Sequence, residues 1–282
     1  MRIHVSFSLL GVLLFSSTPP AASAATYYVS PTGSDSNPGT QALPFNTLQK
    51  GHDVAVAGDT IYMRGGMHSI SSQVNFTRSG ASGNPIKLWA YPGELPVLDA
   101  SSITAEPTWV IHLNAASWWH IKGLDIQNNP HGGGIRLSDN SNHNIIENNK
   151  THHNGRLSAW AATGIVLYGN PSNNLILNND SHHNVDADFG DGDGFGAGIT
   201  GSGNVLRGNR AWRNGDDGYD FFNTNNNAVG GILLVENNWA WENGFDDNLV
   251  KNPGVTGFGF KLAGIRPGTT GTSGGHTLKN NL

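Results

Sequence analysis

Seven aspartates, Asp186, Asp188, Asp191, Asp193, Asp216, Asp217 and Asp220, crowd between positions 186 and 220 of a 282-residue chain that carries only 21 acidic residues. Carboxylates held together repel, and one tends to take up a proton unless a cation lies among them. The chain has no cysteine, and no histidine cluster accompanies these aspartates. Hard oxygen donors of this kind select Ca²⁺ over zinc and leave coordination positions for water and a substrate carboxylate. A solvated turn, or a calcium with a purely structural part, is the plain alternative. The second reactive group is Lys261, whose amine is a base when it is neutral.

A repeat brings these residues together. Asn148-Asn149, Asn178-Asn179, Gly208-Asn209 and Asn237-Asn238 set one asparagine column at 149, 179, 209 and 238, with steps of 30, 30 and 29 residues. Asn154, Asn184, Asn214 and Asn243 form another. Short apolar strands precede the pairs, and a glycine opens a second strand in Gly134-Ile135, Gly164-Ile165, Gly194-Phe195, Gly218-Tyr219 and Gly259-Phe260. Such strands bury a face only by stacking turn upon turn, with asparagine ladders in the corners; the expected fold is therefore an all-β parallel β-helix.

Aligning the glycine-opened strands sets Asp193 and Asp217 in one column on neighbouring turns, ~4.8 Å apart. Asp220 follows Gly218 by two positions, so the glycine is expected to leave open floor beside it while Tyr219 turns into the core. Lys261 falls in the column of Asp220. Spare carboxylates would raise its pKa and a nearby Ca²⁺ would lower it, so activity is expected to rise toward alkaline pH. His152 and His182 share a column with Trp212 and Trp241, read as a packing stack rather than a metal site because no carboxylate joins it. Trp239 and Trp241 are candidate sugar-stacking faces against a plainer packing role.

Residues 1–24, with Arg2, an apolar run from Val5 to Phe15 and Ala22-Ser23-Ala24, have the form of a secretory signal peptide. Residues 25–282 are expected to form one β-helix domain, with a short N-terminal capping helix from Thr47 to Ala55 and early strands at Ile61-Tyr62-Met63 and Ile86–Ala90. The last residues, Thr277 to Leu282, look like the start of another turn, so further C-terminal turns are expected to be missing. No later segment reaches the ~20 continuous apolar residues of a membrane helix. The formal charge of −5 argues against a nucleic-acid partner, which requires a basic stripe. A secreted monomer without membrane or nucleic-acid partners is the expectation.

Asp191-Gly192-Asp193-Gly194-Phe195, Gly203 to Asn214, Asp216-Asp217-Gly218-Tyr219-Asp220, Val235 to Trp241 and Gly259-Phe260-Lys261-Leu262 resemble polysaccharide lyase family 9, the calcium-dependent pectate lyases and their relatives. The likeness covers most of residues 26–282. It implies a right-handed β-helix, Ca²⁺ held by Asp193, Asp216, Asp217 and Asp220, Lys261 as the base, and β-elimination on an anionic polysaccharide, polygalacturonate or pectin. Arg207, Arg210, Arg213 and Arg266 are candidates to pair with further substrate carboxylates, against the plain reading of solvated turn residues. No residue stands out as the acid for the leaving group. The stretch from Trp241 to Gly259, including Phe245-Asp246-Asp247-Asn248, departs from the pattern. Two other readings stay open: a β-helix glycoside hydrolase with paired carboxylates, which leaves Lys261 without a task, and a non-catalytic carbohydrate-binding solenoid using calcium for rigidity.

Overall fold

The structure, a computed structural model, describes residues 1, 23–159, 162–221, 231–245, 248–262 and 275–282. Nearly all of the expected signal peptide (residues 1–24) lies outside the described residues, as do Arg266, Asp246 and Asp247. No helix among the described residues is long and apolar enough to cross a membrane.

Among the described residues, strands of two to seven residues coil into three parallel sheets, one of nine strands and two of seven. Each turn visits the sheets in a fixed order, as in Trp119–Lys122 of the first, Asp125–Gln127 of the second and Gly132–Ser138 of the third. The thirty-residue period is the length of one turn: Ile146 stands in register with Ile176, Ile176 with Leu206, and Leu206 with Val235. All four are fully buried. In the third sheet Ile165, Phe195, Tyr219 and Phe260 continue the interior column, and the Phe195–Tyr219 and Tyr219–Phe260 rings stack at 4.9 and 4.5 Å.

The asparagines hold the corners. In each pair the first takes a left-handed conformation, with φ of 52°, 54° and 57° at Asn148, Asn178 and Asn237, and Gly208 fills that position in the remaining turn. The second is buried. Asn179 Nδ2 donates to Asn209 Oδ1 at 3.0 Å and to the Ile146 carbonyl at 2.9 Å, while its Oδ1 accepts from the backbone N–H of Asn149. Asn154, Asn184, Asn214 and Asn243 repeat this at the next corner. A third ladder of Asn144, Asn174 and Asn204, spaced by the same 30 residues, closes the corner before the first sheet.

The helix Leu48–Val54 covers the first turn, and Thr47 caps it by accepting from the Lys50 N–H. Leu48 is buried beneath it. On the outer face of the second sheet His152, His182, Trp212 and Trp241 stack at spacings of 4.8, 4.3 and 4.9 Å, as the column alignment predicts. A carboxylate does join that column, contrary to expectation. Asp125 Oδ1 lies 2.7 Å from His152 Nε2, because the side chain of Asp125 reaches along the sheet from the strand beside Lys150. His182 is pulled down to about 3 by burial and by the neighbouring histidines, so it is neutral.

Candidate active site

The chain leaves each second-sheet strand, turns at an asparagine and enters the third sheet through a glycine, and the aspartates occupy that passage. The Gly194 N–H donates to the Asp217 carbonyl and the Phe195 N–H to the Gly218 carbonyl, both at 3.0 Å, which locks adjacent turns in register. Asp193 and Asp217 consequently meet: the Asp217 N–H donates to Asp193 Oδ1 at 3.1 Å. Asp193, Asp216 and Asp217 are all buried, and one oxygen from each lies within 4.8 Å of the others.

Asp220 projects from the outer face of the third sheet, in register with Lys261 on the following strand. The lysine Nζ is 3.0 Å from Asp220 Oδ2, 3.2 Å from Asp217 Oδ2 and 4.0 Å from Asp216 Oδ2. Three carboxylates thus turn the same oxygen toward one ammonium. Burial pulls the lysine pKa down, but the charges of Asp220 and Asp217 and their hydrogen bonds outweigh it and hold the amine protonated. The opposite pressure acts on the acids. Burial, then repulsion from Asp220, Asp217 and Asp216, lifts Asp193 well above the usual carboxylate range. Asp217 is also raised, by burial and by Asp216, against the pull of Lys261.

Gly218 is not the floor of this site. A Cβ there would lie 2.7 Å from the Gly259 carbonyl oxygen and 3.0 Å from Ala240 Cβ, so the glycine faces the packed interior between sheets. The alternation assumed for a strand does not extend back around the corner. Gly196, in register with Asp220, is the glycine beside the aspartate.

The segment that departs from the repeat completes the acidic pocket. Asn252 Nδ2 donates to the Gly215 carbonyl at 2.9 Å and docks the segment on the corner. Thr256 then donates from its N–H and hydroxyl to Asp216 Oδ1, at 3.0 and 3.2 Å, and the hydroxyl lies 2.9 Å from Asp217 Oδ1. The Phe258 N–H donates to the same Asp217 oxygen at 2.6 Å. These donors occupy Oδ1 and leave Oδ2 turned toward Lys261. Asp191, on the rim, is pushed up to about 6 by partial desolvation and by Asp186 and Asp220.

Three of the four predicted arginines lie elsewhere. Arg207, on the first sheet, pairs with Glu236 at 2.6 Å; Arg210, on the second, forks onto Asp180 with two bonds of 2.6 Å; and Arg213, at the corner after it, pairs with Glu242 at 2.8 Å. Each partner sits one turn away, because a thirty-residue repeat sets side chains of matching register against each other. Trp239 and Trp241 are on the second sheet, and Trp241 stacks on Trp212. An arginine that does face the site column is Arg136, which shares the outer register of the third sheet with Val166, Gly196, Asp220 and Lys261. Its guanidinium lies between the rings of Trp109 and Tyr168, at 4.4 and 5.3 Å, and its buried Nε has no hydrogen-bond partner among the described residues.

The donor set fits a calcium ion. All its ligand atoms are carboxylate oxygens, three of the four aspartates are buried, and their mutual repulsion is what a divalent cation relieves.

Comparison with known proteins agrees with this architecture. Residues 27–282 match the model of the Pel9A-like right-handed β-helix region. Pectate lyase L of Paenibacillus polymyxa (strain SC2) is 36% identical over 284 residues, 95% of this chain and 60% of that protein. A solved rhamnogalacturonan lyase superposes with a TM-score of 0.76 at 28% identity, covering 92% of this chain and 68% of that one. The crystal structure of pectate lyase Pel9A gives 0.73 at 27% identity, covering 90% of this chain and 62% of its own. The chain spans no more than about two thirds of the length of the curated relatives it matches, 66% in one and 60% in another. With three parallel sheets, one short capping helix and a family match across the whole coil, the chain belongs to the Pel9A-like right-handed parallel β-helix family.

Proposed function

We propose that this chain is a secreted, calcium-dependent polysaccharide lyase that cleaves α-1,4-linked polygalacturonate by β-elimination. The observation that carries the reading is the convergence of Asp216, Asp217 and Asp220 on Lys261 Nζ beside the buried Asp193. Asp193, Asp216, Asp217 and Asp220 would hold the Ca²⁺. When bound, the ion supplies positive charge that neutralises a uronate carboxylate and offsets the aspartates that otherwise hold Lys261 protonated. Lys261, as the neutral amine, takes the C5 hydrogen of a galacturonate as a proton. The electron pair of that C–H bond becomes the C4–C5 double bond, and the C4–O bond breaks with its electrons on the departing glycosidic oxygen. A hydrolase assigns no task to Lys261, and a purely structural calcium does not require a lysine at its edge.

Arg136 extends the site along the coil axis. Three strand spacings separate it from Asp220, about 14 Å, so a polymer lying along the third sheet would bring a more distant carboxylate to its guanidinium. The likeness to the rhamnogalacturonan lyase favours a second reading, in which alternate sugars of the substrate are not uronates. The same proton abstraction serves both.

The test is incubation of the chain with polygalacturonate, methylated pectin or rhamnogalacturonan in Ca²⁺, following the ultraviolet absorbance of the 4,5-unsaturated product. Absorbance that appears with Ca²⁺ and disappears with chelator supports the lyase. New reducing ends without that absorbance identify a hydrolase, and neither signal leaves a binding solenoid.

A further inference from the structure

Outside the acidic pocket, four histidines of the second sheet and its following corner form a nitrogen-rich cluster that the lyase chemistry does not use. His152 and His153 stack face to face on His182 and His183, one turn later, with ring centroids 4.8 and 5.0 Å apart. Within each turn the neighbouring rings meet through Nδ1, at 2.6 Å for His152 and His153 and 2.7 Å for His182 and His183. One nitrogen from each of His152, His153 and His182 lies within 4.8 Å of the other two.

Asp125 is the second observation. Its Oδ1 is 2.7 Å from His152 Nε2, and its Oδ2 is 3.2 Å from Lys150 Nζ. A carboxylate at Nε2 fixes the proton there, so Nδ1 presents its lone pair toward His153. Metal-bound imidazoles are oriented in this way by an outer carboxylate. The cluster also has an open approach: His153 is exposed, and His153 and His183 line a surface cavity of about 380 Å³ with Arg156, Asp186, Phe189 and Arg213.

We propose that His152, His153 and His182 form a site for a borderline transition-metal dication such as Zn²⁺, oriented by Asp125 and separate from the aspartate pocket. Imidazole nitrogens suit Zn²⁺, Cu²⁺ and Ni²⁺, whereas Ca²⁺ requires oxygen. An ion held here bridges two consecutive turns. It clips the corner from which the segment of residues 185–193, carrying Asp186, Asp191 and Asp193, departs.

Zn²⁺ is the probe, titrated calorimetrically into the full chain in saturating Ca²⁺ so that the aspartates are already occupied. The expected result is one equivalent of Zn²⁺ bound with micromolar or tighter affinity and a raised melting temperature. His153→Gln, at the exposed end of the cluster, and Asp125→Asn should each weaken that affinity about 10–100-fold. Co²⁺ should bind the same site and give visible absorption bands that His153→Gln removes. The proposal is overturned if Zn²⁺ binds no tighter than millimolar, if both variants bind it as the wild type does, or if raising Ca²⁺ displaces it.

Discussion

At neutral pH Lys261 is an ammonium held by Asp220 and Asp217, and an ammonium abstracts no proton. The reactive fraction is the neutral amine, so the rate should climb with pH from about 7 toward about 10, and added Ca²⁺ should move that climb to lower pH by drawing off the carboxylate charge. A rate that is flat or falling over this range removes Lys261 from the role of base. Lys261→Ala should lower turnover by about 10²–10⁴-fold while leaving circular dichroism and cooperative melting intact. Arg136 calls for a different readout. Arg136→Ala should raise KM for long polygalacturonate by about tenfold or more with kcat little changed, and Arg136→Lys should restore only part of it, since a lysine cannot fork onto a carboxylate. Oligomers too short to span the roughly three strand spacings from Asp220 should not distinguish the variants. Lys261 was legible in the sequence because its column follows from the repeat. Arg136 was not, because its strand, opened by Gly132-Gly133-Gly134, lies outside the aspartate-rich stretch of residues 186–220, and the nearby Trp109 comes from a strand in the less regular first half.

Among the elements, the strands and corners were readable because they obey one period. Ile146, Ile176, Leu206 and Val235 align, and so do Asn149, Asn179, Asn209 and Asn238, so sequence spacing translates directly into contact. Two features lie beyond that rule. Gly218 sits where the strand has already turned the corner, and its α-carbon points at Ala240 rather than outward. Thr256 lies in the segment that breaks the period, and most of the bonds it helps make to Asp216 and Asp217 come from backbone N–H groups, which no residue type announces. Thr256→Val separates the hydroxyl from those N–H donors. It should destabilise the chain by about 1–2 kcal/mol and weaken Ca²⁺ affinity, measured by denaturant melts and chelator competition. Asn209→Ala strikes the ladder instead: it removes donors to Asn238 Oδ1 and the Ile176 carbonyl and the acceptor for Asn179, all buried. A loss of at least about 2 kcal/mol is expected, from desolvated groups left without partners. A smaller loss would mean that water enters the corner.

For the whole molecule, the acidic pocket makes stability a function of both pH and calcium. Carboxyl groups raised above their unfolded values bind more protons in the folded chain than in the unfolded one, so their contribution is greatest at low pH and is lost as pH rises. For Asp191, pushed up to about 6, the loss runs from its ordinary value near about 4 up to about 6, and Asp193, also raised, contributes in the same direction. Glu94, held down to about 2 by Arg64 and the Gly65 N–H, works in the opposite sense, but its contribution falls away only below about 4; His112 and His182, held down to about 4 and about 3, oppose the pocket within its own window, because the unfolded chain protonates them below about 6.5. In chelator, therefore, the pocket's share of the melting temperature should decline between about pH 4 and 7, against the rise that these histidines contribute. Asp193→Asn should flatten that decline by removing one of the repelling charges. Ca²⁺ at about a hundredfold its dissociation constant contributes roughly 2.7 kcal/mol, which for a chain of this size corresponds to about 5 °C or more at pH 7. The increment should shrink toward pH 4, where protons compete for the same oxygens, and it should be absent from a variant lacking the pocket aspartates. A calcium increment equal at both pH values would place the ion on carboxylates other than Asp193, Asp216, Asp217 and Asp220.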